Sequence, residues 1–220
     1  MDSTVQIWED IYKAGNFMEY PSEFFIRLLR RTESSLGIKG VTLDHGCGSG
    51  NNAECFYKAG YDIICSEVSR AALEITRDRL LKAGHSNPSC TLIDTTLPLS
   101  VQLPKYDNVI CWLSLYYSEE KAMASSITQL ISGMSSGGFF WLAMPTKKDL
   151  LFRLSKKRRG QTRVLGNNAG PQKGAVLTIF DEPSQIEKMF SGTRILDVGK
   201  YGMTFENCQH EYFVINARKI

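Results

Sequence analysis

Apolar residues recur at helical spacing in the first turns of the chain. Val5, Ile7, Trp8, Ile11 and Tyr12 fall on one face and predict an amphipathic helix over residues 3–14. Asn16 to Tyr20 breaks that pattern. Pro21 suits a first helical turn and Glu23 complements its dipole, so Phe24, Phe25, Leu28 and Leu29 become the apolar face of a second helix ending near Ser34. The pattern then shifts to short apolar runs that read as buried strands at 40–44, 61–67, 90–94, 106–113 and 139–144. Helical patterns separate them at 52–59, 69–84 (with Ser69 as its cap) and 119–134. A helix over 183–190 and strands over 195–201 and 211–217 follow, the last two joined by a connection without helical pattern.

This alternation predicts an α/β fold: a doubly wound, seven-stranded, mostly parallel sheet with helices on both faces and an antiparallel hairpin at one edge. The 220 residues fit a single domain over 1–220, with 1–35 as an N-terminal helical cap and 146–175 as an insertion. With 43% hydrophobic and 22% charged residues, the chain is neither disordered nor fibrous. The apolar run at 138–144 is far short of the roughly 18 residues a membrane span needs. The first six residues lack the basic and apolar regions of a signal peptide. Six cysteines without C-x-x-C spacing, two of them (Cys65 and Cys111) inside apolar runs, read as reduced structural thiols. The expected setting is cytoplasmic, with no membrane partner and no metal site.

Net charge is +3, but it is unevenly placed. Nine basic residues and one acid, Asp149, lie between Lys147 and Lys173, leaving a body of 17 basic and 22 acidic residues, or −5. Thr146 is positioned to cap a short helix there, with Leu150, Leu151 and Leu154 inward, whereas 160–174 shows neither strand nor helix pattern. A basic stretch of this kind suits a lid gripping an anionic small molecule, a nucleic-acid patch, or a solvated loop. The lack of interleaved aromatics beyond Phe152 disfavours nucleic acid without excluding it.

The informative chemistry lies in Leu43-Asp44-His45-Gly46-Cys47-Gly48-Ser49-Gly50, between the first strand and the next helix. Three alternate glycines let the backbone turn sharply and approach a ligand, and the helix end adds a positive dipole. The spacing is G-x-G-x-G rather than the dinucleotide G-x-G-x-x-G. Asp44 would repel a pyrophosphate but suits a cationic cofactor with an amino-acid tail, namely S-adenosylmethionine (SAM). The pattern Asp44-x-Gly46-x-Gly48-x-Gly50 resembles motif I of the class I SAM-dependent methyltransferases.

That resemblance implies site residues along the sheet. Asp44, His45, Gly46, Cys47, Gly48 and Gly50 would form the cofactor loop; Glu67 would hold the ribose, with Val68 beside it; Asp94 and Thr95 would meet the adenine. The segment Cys111 to Tyr117, with Trp112 and Leu113, matches the stretch that lines the methyl-transfer site in the family. Trp8 and Tyr20-Pro21-Ser22-Glu23 resemble an N-terminal pattern of small-molecule methyltransferases, with Tyr12, Phe17 and Tyr20 as walls over the cofactor. The implied activity is methyl transfer, O- or N-linked, to a small-molecule acceptor, anionic acceptors included, leaving S-adenosylhomocysteine. No catalytic base carries a diagnostic motif; Tyr116, Tyr117 and His210 are candidates by segment alone. The alternatives are an RNA or protein methyltransferase using the basic insertion, a silent SAM-binding accessory protein, and an NAD(P)-dependent oxidoreductase. Neither the acceptor nor the oligomeric state is legible.

Overall fold

The structure is a computed structural model that describes residues 3–206 and 208–220; Met1, Asp2 and Asn207 lie outside it. Its strands are β1 Thr42–His45, β2 Ile63–Glu67, β3 Cys90–Leu92, β4 Asn108–Trp112 and β5 Phe139–Pro145. Then come β6 Ser155–Arg159, β7 Thr162–Leu165, β8 Val176–Thr178, β9 Thr193–Phe205 and β10 Cys208–Lys219. The α-helices are α1 Ser3–Lys13, α2 Glu23–Leu36, α3 Asn51–Lys58, α4 Arg70–Lys82, α5 Glu120–Gly133, α6 Leu150–Leu154 and α7 Pro183–Glu187.

Seven strands form one sheet in the order β3-β2-β1-β4-β5-β10-β9. The first five are parallel, and β10 runs antiparallel to both β5 and β9. Successive side chains of a strand point to opposite faces, and here both faces are covered. Ile110 and Trp112 of β4 and Trp141 and Ala143 of β5 pack with Phe25, Phe56 and Leu80 on one side. Val109 and Cys111, with Phe140, Leu142 and Met144, pack with Met123, Ile127 and Leu130 of α5 on the other. The chain order reverses between β1 and β4, so a crevice opens beyond the carboxyl ends of these strands.

Local chemistry sets the helix starts. Ser69 caps α4 as expected, accepting from the Ala72 N–H at 3.1 Å. Ser22 caps α2 through the Phe25 N–H, so Pro21 precedes the cap instead of filling the first turn. Asp149, not Thr146, caps α6, accepting from the Leu151 N–H at 2.8 Å. The Thr146 hydroxyl instead donates to Glu211 of β10 at 2.8 Å.

The largest departure from expectation is the insertion. Residues 155–178 build an antiparallel three-stranded sheet, β6-β7-β8, in place of an unpatterned loop. Lys156-Lys157-Arg158-Arg159 hid β6 because four consecutive charges show no alternation, yet they sit exposed on the open edge of that sheet. Charge on an open edge blocks pairing with another chain. The sheet is fastened to the segment after β4: Thr178 N–H donates to the Tyr116 carbonyl at 2.7 Å and its hydroxyl to the Ser118 carbonyl at 2.8 Å. Thr162 Oγ1 accepts from the Glu120 N–H at 3.1 Å.

Two boundaries also move. The hairpin arms are longer than the apolar pattern, since 202–205 pair with 208–211 through polar and glycine residues that carry no alternation signal. β3 ends at Leu92, two residues before Asp94, because the chain turns there to bring Gln102 onto the backbone.

Candidate functional site

The glycine loop fills the mouth of the crevice at the end of β1. Gly46 and Gly48 have φ of 72° and 56°, a region that L side chains avoid. A Cβ on Gly46 would collide with the Ser114 side chain, and one on Gly48 with the Tyr12 hydroxyl. Gly50, also at positive φ, is the N-cap of α3.

Glu67 ends β2 beside this loop and is buried. One carboxylate oxygen accepts from the Gly48 N–H at 3.0 Å, the other from Val68 N–H at 2.7 Å and Ser69 N–H at 3.3 Å. Burial still raises its pKa, outweighing the three backbone donors. Asp44 is fully buried below the loop, and its Oδ2 has no hydrogen-bond partner. Burial, reinforced by the nearby Glu67 charge, pushes its pKa up to about 7. His45 Nδ1 lies 2.8 Å from Ser66 Oγ, and burial holds its pKa down at about 4, so the ring is neutral at physiological pH.

The crevice encloses a cavity of about 590 Å³. It brings together His45, Gly46, Glu67, Val68, Asp94, Thr95, Leu113 and Tyr117 of the sequence-derived site. Asp44, Cys47, Gly48 and Gly50 support the loop from beneath without lining the cavity. Trp112 turns away into the opposite core layer, with its ring 4.9 Å from Phe25. Tyr20 is 73% exposed on a surface loop, and only its carbonyl is engaged with α3, accepting from Asn51 at 3.0 Å. Of the three candidate bases, Tyr117 lines the cavity and Tyr116 is buried behind it, their rings 4.3 Å apart. Burial pushes the Tyr117 phenol up to about 12, which makes it a donor and not a base near neutrality. His210 lies outside the cavity.

Asp94 also departs from the simplest picture. Its Oδ1 accepts from the Thr96 hydroxyl at 2.6 Å and N–H at 2.8 Å, and these bonds hold its pKa below the usual carboxylate value. Gln102 pins the same turn: its Oε1 accepts from the Asp94 N–H at 2.8 Å, and its amide donates to the Asp94 and Leu97 carbonyls at 3.0 Å. No sequence signal marked Gln102.

Helix α1 roofs the cavity with Thr4, Val5, Trp8 and Tyr12. Trp8 packs edge-on to Tyr117 at 4.6 Å, and Thr4 Oγ1 accepts from the Val176 N–H of the insertion at 3.3 Å. Glu9 anchors the helix by accepting from Ser69 Oγ at 2.7 Å and Ala71 N–H at 3.1 Å. Of the basic insertion only Arg158 reaches the cavity, where it pairs with Glu119 at 3.3 Å. Lys147 pairs with Asp181 at 2.6 Å, and Arg163 lies over the Phe152 ring at 3.9 Å. The wall formed by Leu97, Leu99 and the α5 residues Ala122, Ser125 and Gln129 was not anticipated, because those positions read as ordinary helix and loop. Among the described residues no group of His, Cys, Asp and Glu forms a metal site, and no helix is long and apolar enough to cross a membrane.

The orphaned Asp44 oxygen, the loop that tolerates no Cβ and the buried Glu67 carboxylate fit a ligand with a cationic amino-acid end and vicinal hydroxyls. Comparison with known proteins points the same way. Residues 42–138 match a family described as a methyltransferase domain. No curated protein matches the chain. Among solved structures, a protein from work on converting a disulfide bond into a thioacetal group during echinomycin biosynthesis superposes with a TM-score of 0.73 at 16% identity, covering 98% of this chain and 91% of that one. The Burkholderia thailandensis 1,6-didemethyltoxoflavin-N1-methyltransferase, solved with bound 1,6-didemethyltoxoflavin and S-adenosylhomocysteine, gives 0.70 at 15% identity, covering 98% and 86%. A SAM-dependent methyltransferase from Anabaena variabilis gives 0.70 at 16%, covering 98% and 93%. The family match over residues 42–138, the strand order and the glycine loop at the switch point together support a class I SAM-dependent methyltransferase with S-adenosylmethionine as its cofactor.

Proposed function

We propose that the enzyme transfers the methyl group of SAM to a small-molecule acceptor held beneath α1 and the inserted sheet. The observation that carries this reading is the roof. Trp8 on Tyr117 and Thr4 on Val176 bridge the cavity above the loop, narrowing it to a cleft suited to a compact acceptor rather than a trough for a polymer. The solved relatives named above with small-molecule chemistry support the same choice.

In this reading Glu67 accepts from the ribose hydroxyls, and Asp44, beneath the loop, supplies the negative charge that attracts the amino group of the methionyl end. Val68, Ile93, Thr95 and Leu113 wall the adenine, with Asp94 at its edge. When bound, SAM supplies the electrophilic methyl. The chain's own work is positioning and exclusion of water, with Trp8, Tyr12 and Tyr117 around the reacting end. Arg158 is the cation available to an anionic acceptor, which would displace Glu119 from it. Residues 1–35 act as a cap and 146–175 as an ordered lid on one domain.

Titration calorimetry with SAM, S-adenosylhomocysteine and NAD tests the cofactor, and mass spectrometry of labelled methyl transfer to an acceptor panel tests the class. Binding of NAD without SAM, or transfer to RNA or protein alone, would overturn the reading.

Two further outcomes are expected. Asp44 is protonated in the empty site below about 7 and must ionise to face an ammonium, so SAM affinity should rise as pH rises through that value. Calorimetry below it, in buffers of different ionisation enthalpy, should show proton release on binding. The same raised pKa means that folding stability contributed at low pH is lost as pH climbs from the unfolded carboxylate value, 3.8, towards 7. Trp8→Ala removes the edge contact to Tyr117 and should lower folding stability by about 0.5–1.5 kcal/mol, read from chemical denaturation, while the loosened roof weakens SAM binding measured by calorimetry.

A further inference from the structure

Three side chains outside the cavity form a line. Cys208 Sγ lies 3.3 Å from His210 Nε2, and His210 Nδ1 lies 3.2 Å from Asp149 Oδ2. The Asp149 side chain is 0% exposed, and its position is over-determined. Oδ1 accepts from the Leu151 N–H at 2.8 Å and Oδ2 from the Glu211 N–H at 3.2 Å, tying it to both α6 and β10.

A carboxylate fixed in this way keeps the proton on Nδ1 and turns the Nε2 lone pair towards the thiol. Tyr212 Oη, 3.3 Å from Nδ1, lies on the same side of the ring and leaves Nε2 to the cysteine. Nothing about closing a hairpin requires a thiol at this point. The site is also reachable: Cys208 is half-buried, the His210 side chain is 33% exposed, and Phe205, paired with Cys208 across the turn, is 70% exposed.

We propose that Cys208, His210 and Asp149 form a thiol–imidazole–carboxylate site in which Cys208 is a nucleophile modified by low-molecular-weight disulfides. His210 Nε2 takes the thiol proton. The thiolate attacks one sulfur of the disulfide, a new S–S bond forms as the old one breaks, and the departing thiolate recovers the proton from the imidazolium. Cys208 is thereby oxidised to a mixed disulfide, and half of the incoming disulfide is reduced to a thiol. An external partner is required, since Cys47, Cys65 and Cys111 are buried in the sheet layers and no disulfide joins any of the chain's cysteines. The site uses no atom of the cofactor cavity, so it stands independently of methyl transfer.

The test is peptide-resolved labelling of the intact protein with iodoacetamide, followed by exposure to glutathione disulfide. Cys208 should be alkylated about tenfold faster than Cys55, and should carry the single glutathione adduct, released by dithiothreitol. His210→Gln should bring Cys208 down to the Cys55 rate, and Asp149→Asn, which keeps the helix cap, should lower it several-fold. Unchanged Cys55 and Cys90 rates in both variants report an intact fold. Equal Cys208 and Cys55 rates in the native protein would overturn the proposal without any variant, as would a Cys208 rate indifferent to His210.

Discussion

Glu67→Ala is expected to weaken SAM binding by about 1–3 kcal/mol, the range for removing a hydrogen-bonding partner from a buried polar group, and to lower thermal stability at the same time. Both effects have one origin. The carboxylate accepts from Gly48 in the loop and from Val68 and Ser69 at the start of α4, so it ties the cofactor loop to the next strand end. The variant loses that tie as well as the proposed ribose acceptor. Glu67→Gln separates the contributions. Its amide oxygen still accepts from one side, but its NH₂ faces backbone donors, so it should keep more of the fold than of the affinity. Calorimetry with SAM and a melting curve on each variant distinguish the two. An alanine variant with native affinity would remove Glu67 from the cofactor site, whatever it did to stability.

Gly46→Ala is expected to be more severe. At φ of 72° an L residue carries roughly 1–2 kcal/mol of backbone strain, and its Cβ would also enter the Ser114 side chain. Ser114 has little freedom to retreat, because its hydroxyl donates to the His45 carbonyl at 2.9 Å. The loop should open, SAM binding should be lost, and chemical denaturation should show a loss beyond the strain alone. Adding Ser114→Gly removes the collision but not the strained dihedral. The double variant should therefore recover part of the stability and stay below the native protein. Full recovery would mean that the dihedral matters little, and no recovery that the collision does not.

Elements with ordinary signals were legible in the sequence. β1, β2, β4 and β5 appeared as apolar runs because they are buried on both faces, and the glycine loop appeared because its backbone positions exclude side chains. The acids at the ends of β2 and after β3 followed from the same strand ends. Illegible parts share another cause. Lys156 to Arg159 form a strand whose stability comes from β7 and from anchorage to Tyr116, Ser118 and Glu120, not from its own side chains. Gln102 acts through backbone groups of a turn that no local pattern encodes. Trp112 sat on the right strand but faces the wrong layer for a cofactor contact. The two-residue period of β4 sends Trp112 with Ile110, while Leu113, at positive φ, swings back to the cavity.

The hydrogen bond from Val176 to Thr4 spans 172 positions of the chain. Closing a loop of that size is entropically slow, whereas the strand pairs beneath it form over much shorter separations. The roof contact therefore cannot form until residue 176 has been made, after the glycine loop has its strand neighbours β2 and β4. A polypeptide stopped before residue 176 would carry the loop and Glu67 but no roof contact, so tight retention of SAM can serve as the timer for docking of the inserted sheet onto α1.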